Sequence, residues 1–289
     1  MFAFLICSTG MAEPVRHTIV LEKGTYKKTL HKWASALNKS SRHGSTTYIV
    51  KKDGGEDKLH VKGHRDSIVW IPDSTDLSSP FKMIIWFHGH WGFVEDRTFV
   101  NRTLKQLDPF TSGDKHKNFI LVLPEMPWSV HTKTPTKRNS LLWMKKGDFL
   151  SFIQQTEETL SEHLRQTNRH SELGDVDYRI VGHSAGGSTI KRIGMTGDLC
   201  ELNPSMVVWS DSSYGLWLQN AWDGCLKDHR DILVKVFVAK GDTPWRRATQ
   251  FMGQFQDPPK NLELHIKKKP RWSHKLIGDN IVKLSGLMD

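Results

Sequence analysis

Six short apolar runs lie between residues 83 and 266, and all but the last lack the alternation of a strand that has one face in water. They are MIIWF (83–87), FILVL (119–123), YRIVG (178–182), MVVWS (206–210), ILVKVFVA (232–239) and LELHI (262–266). Continuous apolar character is the mark of a strand covered on both faces. Helical patterns fall between the runs, the clearest over 148–163, where Phe149, Phe152, Ile153 and Leu160 line one side and Gln and Glu the other. Residues 185–195 and 275–287 also read as helices. Strand, helix, strand repeated in this way predicts an α/β fold, a mostly parallel central sheet with helices on both faces.

Upstream, 47–51 and 58–62 read as strands separated by the turn Asp53-Gly54-Gly55, with 67–71 extending the meander. Residues 13–45 are basic and polar, with a helix-like piece at 29–37, and read as an N-terminal extension packed on the same domain. A single catalytic domain is expected over 46–289.

Composition excludes several classes. Hydrophobic residues make up 37% and charged residues 25%, too apolar a balance for a disordered chain. No apolar run reaches the ~18 residues of a transmembrane helix, so no transmembrane segment is expected. Lys and Arg number 41 against 31 Asp and Glu, a net charge of +10. That charge is spread, densest at KKKPR (267–271). It favours anionic partners such as envelope polymers or lipid headgroups. No nucleic-acid-binding motif accompanies it, and no nucleic-acid partner is expected.

The stretch MFAFLICSTGMA (1–12) is apolar at 2–7 and has small residues at Gly10 and Ala12, as a signal-peptide cleavage site before Glu13 would require, though a basic n-region is missing. Export to a secreted or periplasmic location is expected, the alternative being an apolar N-terminus on a cytoplasmic chain. Cys7 would leave with the signal. Cys200 and Cys225 then either close a disulfide or stay as two separate buried thiols, since spacing does not show proximity. No Cys/His spacing resembles a zinc site, and no metal or organic cofactor is expected.

The chemistry concentrates at Gly182-His183-Ser184-Ala185-Gly186, where an apolar run leads through Gly-x-Ser-x-Gly into a helix-forming stretch. A serine hydroxyl is a poor nucleophile until it is exposed and given a base. A strained strand-to-helix turn exposes it, and flanking glycines leave room for the neighbouring backbone.

On this segment the chain resembles the α/β-hydrolase superfamily of serine esterases, lipases and peptidases, over about residues 46–289. The resemblance implies Ser184 as nucleophile and the N–H of Ala185 as one oxyanion donor. The second donor would come from His88-Gly89-His90-Trp91-Gly92 after the run 83–87, by position His90, with Trp91 as the alternative. The acid expected by placement is Asp242, in Lys240-Gly241-Asp242 after the run 232–239, and Asp211 after the run 206–210 is its competitor. His274, after the last strand and at the start of the last helix, matches the family's base, so the order Ser184, Asp242, His274 reproduces Ser…Asp…His. The side chains of His88 and His90 read as loop packing.

Of eleven tryptophans, Trp91, Trp128, Trp245 and Trp272 lie on segments that leave the carboxyl ends of strands, where open α/β sheets bind ligands. They are the expected substrate rim, by stacking on sugar rings or enclosing an acyl chain, or else they pack those loops together. The resemblance implies cleavage of a carboxylic ester through an acyl-enzyme, with a glycan or anionic envelope component as the expected substrate. An envelope peptidase or amidase would use the same triad. A non-catalytic cell-wall-binding protein on a hydrolase scaffold is the reading from a different class.

Overall fold

The computed structural model describes residues 67–89, 97–124, 143, 145–167, 172–268 and 272–289, and the backbone of 18–22, 46–52 and 55–61. Ten strands are assigned among them: β1 (Thr18–Glu22), β2 (Thr46–Lys52), β3 (Gly55–Val61), β4 (Ser67–Ile71), β5 (Phe81–Phe87), β6 (Phe119–Pro124), β7 (Val176–His183), β8 (Met206–Ser210), β9 (Leu233–Ala239) and β10 (Leu262–Lys267). Eight form one sheet in the order β1-β4-β6-β5-β7-β8-β9-β10. Every pairing in it is parallel except β4 with β6. The described residues thus form an α/β fold around a mostly parallel sheet.

The continuous apolar runs are explained by what covers them. Along β5, Met83, Ile85 and Phe87 enter one hydrophobic core while Ile84 and Trp86 enter the other, and all five side chains are buried. A period-2 pattern survives in the geometry but not in the sequence, because both faces are apolar. Each such side chain contributes about 1.5–3 kcal/mol relative to exposure.

The helices are α1 (Arg97–Leu107), α2 (Asp148–Thr167), α3 (Gly186–Thr196), α4 (Asp198–Leu202), α5 (Trp217–Gly224), α6 (Thr243–Met252), α7 (His274–Gly278) and α8 (Ile281–Ser285). The core of α2, α3 and α5 joins an aromatic group in which Trp143 lies 5.0 Å from Phe149 and 5.1 Å from Phe152. The opposite core takes Leu104 and Leu107 of α1 together with Ile277, Ile281 and Val282 of α7 and α8. Asp198, fully buried, accepts the N–H groups of Gly147 (2.8 Å) and Phe149 (3.0 Å) at the start of α2. Donors that the helix cannot satisfy itself are thus met by a carboxylate from another element.

Three expectations change. Strand β4 does not extend a meander. β2 and β3 pair antiparallel as a separate two-stranded sheet, and β4 sits in the main sheet between β1 and β6. The polar extension contributes β1, which pairs parallel to β4, while its helix-like piece at 29–37 and the stretch 1–12 lie outside the described residues. The closing helix is two short ones, interrupted at Asp279 and Asn280, because the chain turns there to lay Gly278 against His183.

Cys200 and Cys225 are joined in a disulfide, linking α4 to the residue that follows α5. The segment 214–229 forms a crossover, with α5 packed on α3 at a close approach of Ala221 to Gly194. Among the described residues no helix is long and apolar enough to cross a membrane.

Candidate active site

Strand β7 delivers Ser184 into a backbone conformation that a serine does not choose for itself, with φ +55°. A non-glycine residue held there costs about 1–2 kcal/mol, so the surroundings must enforce it. The N–H of Ser184 donates to the carbonyl of Ser210 at the end of β8 (3.1 Å), and the Ser184 carbonyl accepts from Gly187 in the first turn of α3 (3.2 Å). The bend closes because side chains are missing around it. A Cβ on Gly186 would fall 2.2 Å from the Phe87 carbonyl oxygen, and one on Gly187 2.4 Å from that of Ser212. At Gly182 it would fall 3.0 Å from the carbonyl carbon of Gly186. Gly89, just beyond β5, lies against Ser184 itself, since a Cβ there would stand 2.7 Å from Ser184 Cβ and 3.2 Å from its Oγ.

His274 arrives from the end of the sheet. Ser273 caps α7, its Oγ accepting from the N–H of Leu276 (3.4 Å), and His274 is the first helical residue. Its Nδ1 lies 2.7 Å from Asp211 Oδ2. A carboxylate only accepts, so Nδ1 carries the proton and Nε2 is left as the basic nitrogen. Asp211 is fully buried at φ +48°, held by its N–H to the Phe237 carbonyl (2.7 Å) and by Oδ1 accepting from Ala239 N–H (3.1 Å). One carboxylate oxygen is thereby tied to β9 and the other is turned to the imidazole.

The partner of His274 Nδ1 is thus Asp211, the competitor for the acid, where placement gave Asp242. Asp211 leaves β8, the strand next to β7, and follows directly on Ser210, which is in register with His183. Asp242 leaves β9, one strand further out. The left-handed turn at Gly241 (φ +95°) makes it the cap of α6 and keeps it half-exposed. Both carboxylates end a strand in the sequence, and only the sheet order separates them.

Two residues that sequence reasoning did not assign belong to the same neighbourhood. The His183 ring stacks on that of His274 (centroids 4.7 Å apart, 27° between planes), and its Nδ1–H donates to the Ser210 carbonyl (2.9 Å). Burial above all, then the neighbouring His274, pushes its pKa down to about 3, so the ring stays neutral. Its far side rests on Gly278, where a Cβ would come within 2.6 Å of the ring. The available signal was its place, immediately before the nucleophile. The second is Tyr214, three residues after Asp211, whose ring meets that of Trp217 edge-on (centroids 5.5 Å apart). Burial above all raises its pKa, Ser184 opposes that rise, and Asp211 and Asp242 add to it. A lone tyrosine after a strand carries no motif to announce it.

Of the other residues singled out, Ala185 opens the elbow turn with helical backbone angles (φ −59°, ψ −18°). His88 is buried, and its Nδ1–H donates to the Gly89 carbonyl (2.9 Å). His90, Trp91 and Trp128 lie outside the described residues. Trp245 and Trp272 are half-buried against opposite cores, Trp272 with Lys267 Nζ 5.8 Å from its ring. Among the described residues no group of three His, Cys, Asp or Glu is placed to hold a metal ion.

No family model and no curated protein matches the chain. Among solved structures it is similar to an IroE-like serine hydrolase from Shewanella oneidensis, at 15% identity and TM-score 0.47, covering 85% of this chain and 79% of that one. It is also similar to a dienelactone hydrolase from Anabaena variabilis (14% identity, TM-score 0.44, 85% and 94% covered). A third is a structure of fungal esterases from Rhizomucor miehei (11% identity, TM-score 0.45, 92% and 91% covered). Identities this low carry neither reaction nor substrate across.

Proposed function

We propose that this chain is a serine hydrolase that cleaves a carboxylic ester through an acyl-enzyme. The observation that carries the reading is the 2.7 Å bond from His274 Nδ1 to a buried carboxylate, in a site whose serine sits on a left-handed elbow. Strain at a lone serine, a protonated Nδ1 and a sequestered acid together are costly to a fold and useful to nucleophilic catalysis.

In this reading Nε2 of His274 takes the proton of Ser184 as Oγ attacks the ester carbonyl. Asp211 keeps the imidazole in the productive tautomer and stabilises its charged form. The N–H of Ala185, at the head of α3, and that of His90 (or Trp91) receive the developing oxyanion, each such donor being worth about 2.7–4 kcal/mol. His274 then protonates the leaving oxygen, and water repeats the cycle on the acyl-enzyme. The neutral ring of His183 packs against His274 and limits its rotation.

A glycan or anionic envelope component is the proposed substrate, supported by the net charge of +10. The Cys200–Cys225 disulfide supports an oxidising location outside the cytoplasm. A fluorophosphonate probe tests the central point. Wild type labelled at Ser184 and Ser184→Ala unlabelled is the expected result, and an unlabelled wild type sinks the proposal. Turnover of acetylated glycans against peptide amides then separates ester from amide substrates.

A further inference from the structure

The break between α7 and α8 has a side chain inserted in it. In one continuous helix the Val282 N–H would donate to the carbonyl of Gly278, four residues earlier. Here Gln106 of α1 takes both partners. Its Nε2 donates to the Gly278 carbonyl (2.9 Å), and its Oε1 accepts from the Val282 N–H (3.3 Å). The same Nε2 stands 3.5 Å from the Arg102 carbonyl of its own helix. One side-chain amide thus replaces one helical hydrogen bond and satisfies both of its ends. Leu104 and Leu107, on either side of Gln106 in the sequence, share a core with Ile277, Ile281 and Val282, so the amide enters through an otherwise apolar contact.

Helix α7 is a single turn, with His274 at its first position and Gly278 at its last. Residues four apart lie one above the other on a helix face. The His183 ring fills the space that a side chain at 278 would need, since a Cβ there would come 2.6, 2.8 and 2.9 Å from three ring atoms. That ring is fixed to the end of β8 by its Nδ1–H bond to the Ser210 carbonyl (2.9 Å), and it stacks on His274 (4.7 Å). Gly278 therefore backs the ring on which His274 rests, and the Gly278 carbonyl is the atom that Gln106 grips.

We propose that Gln106 is a positioning residue for His274: by interrupting the helix at residue 278 it keeps Gly278 against the His183 ring and the two imidazoles in their stack. This rests on the hydrolase reading above. Without the amide, the Gly278 carbonyl and the Val282 N–H bond to each other, α7 and α8 run on as one helix, and Gly278 leaves the ring. The hydrogen bonds lost from Gln106 are then replaced within the helix, so the fold loses little while His274 loses its setting.

The test is Gln106→Met, which keeps the length of the side chain and removes both polar groups. Hydrolysis of 4-nitrophenyl acetate and the rate of fluorophosphonate labelling are measured in this variant, in His183→Asn and in the double variant. A misplacement of His274 by about 1 Å predicts a loss of about 10- to 100-fold in kcat and labelling rate, with KM within about twofold. In the His183→Asn background the same substitution should cost under about threefold, because the ring through which it acts is gone. Independently of activity, the Hε1 proton resonances of His183 and His274, shifted by the ring currents of the stack, should move in Gln106→Met. An unchanged kcat, unmoved resonances, or the full loss repeated without His183 would each overturn the proposal. Should Gln106→Met not fold, Gln106→Glu keeps the acceptor for Val282, severs only the bond to Gly278 and should show the same loss. Failure of both to fold would make the amide a stability element and overturn the proposal too. A wild type that does not label removes the hydrolase reading instead, and the resonances still decide whether Gln106 holds the stack.

Discussion

Substituting Gly89 by alanine isolates the contact that sets where the nucleophile lies. The added Cβ would stand 2.7 Å from Ser184 Cβ, 3.2 Å from Oγ and 3.4 Å from the His183 carbonyl oxygen, whereas ordinary contact begins at 3.4 Å. Relief therefore needs a displacement of roughly 0.7–1 Å. Neither partner yields easily. Ser184 is held by backbone hydrogen bonds to Ser210 and Gly187, and the Gly89 carbonyl is held by His88. A misplacement of about 1 Å costs on the order of 100-fold in rate, and overpacking costs about 1–3 kcal/mol in stability. The rate of fluorophosphonate labelling, read beside urea unfolding, measures both. Gly174→Ala is the control, since its Cβ would meet the Ser79 carbonyl oxygen at 2.4 Å, in the segment before β5. It should lose comparable stability while its folded fraction labels at the wild-type rate. Labelling of folded Gly89→Ala within about twofold of wild type would refute the reasoning, since the nucleophile would then not depend on that contact.

Asp211→Asn should lower kcat on the order of 10⁴-fold while Asp242→Asn keeps most of it, and the reverse ranking in steady-state kinetics would return the acid to Asp242. Replacing Cys200 and Cys225 by serine frees a loop with a sequence separation of 25, which should cost about 3.5 kcal/mol in denaturant unfolding; an unchanged midpoint would mean the bond does not form. His183 has a depressed folded pKa, so its neutral ring stabilises fully above its unfolded value of 6.5, and this is lost as pH falls toward about 3. Between pH 7 and 4.5 that should remove about 2 kcal/mol, after a discount for the partial exposure of the residue. His183→Asn, which can still donate to the Ser210 carbonyl, should show a correspondingly flatter acid dependence of stability, and an unaltered one would contradict the assignment.

The sheet was legible because β5, β6 and β8 are buried on both faces, which leaves an unbroken apolar signature. β1 was not, since TIVLE sits within a basic, polar extension and joins the edge of the sheet by backbone register with β4. The break between α7 and α8 escaped notice because the apolar spacing of Ile277, Ile281 and Val282 suits one continuous helix as well as two. Ser184 and His274 could be singled out from a motif and from chain order. The choice between Asp211 and Asp242 turned on which strand neighbours β7, a long-range fact that no local pattern carries. The same holds for His183, whose relevance lies in stacking on a ring brought from the far end of the chain.

The short turn from Asp211 to Tyr214 bears the carboxylate on His274, and the Ser212 carbonyl within it fills the gap over Gly187. Attempts to broaden the reaction by swapping this loop would therefore disturb proton management and bend geometry at once. Directed evolution of selectivity has freer ground from Leu216 onward, where a 58% exposed leucine follows that turn.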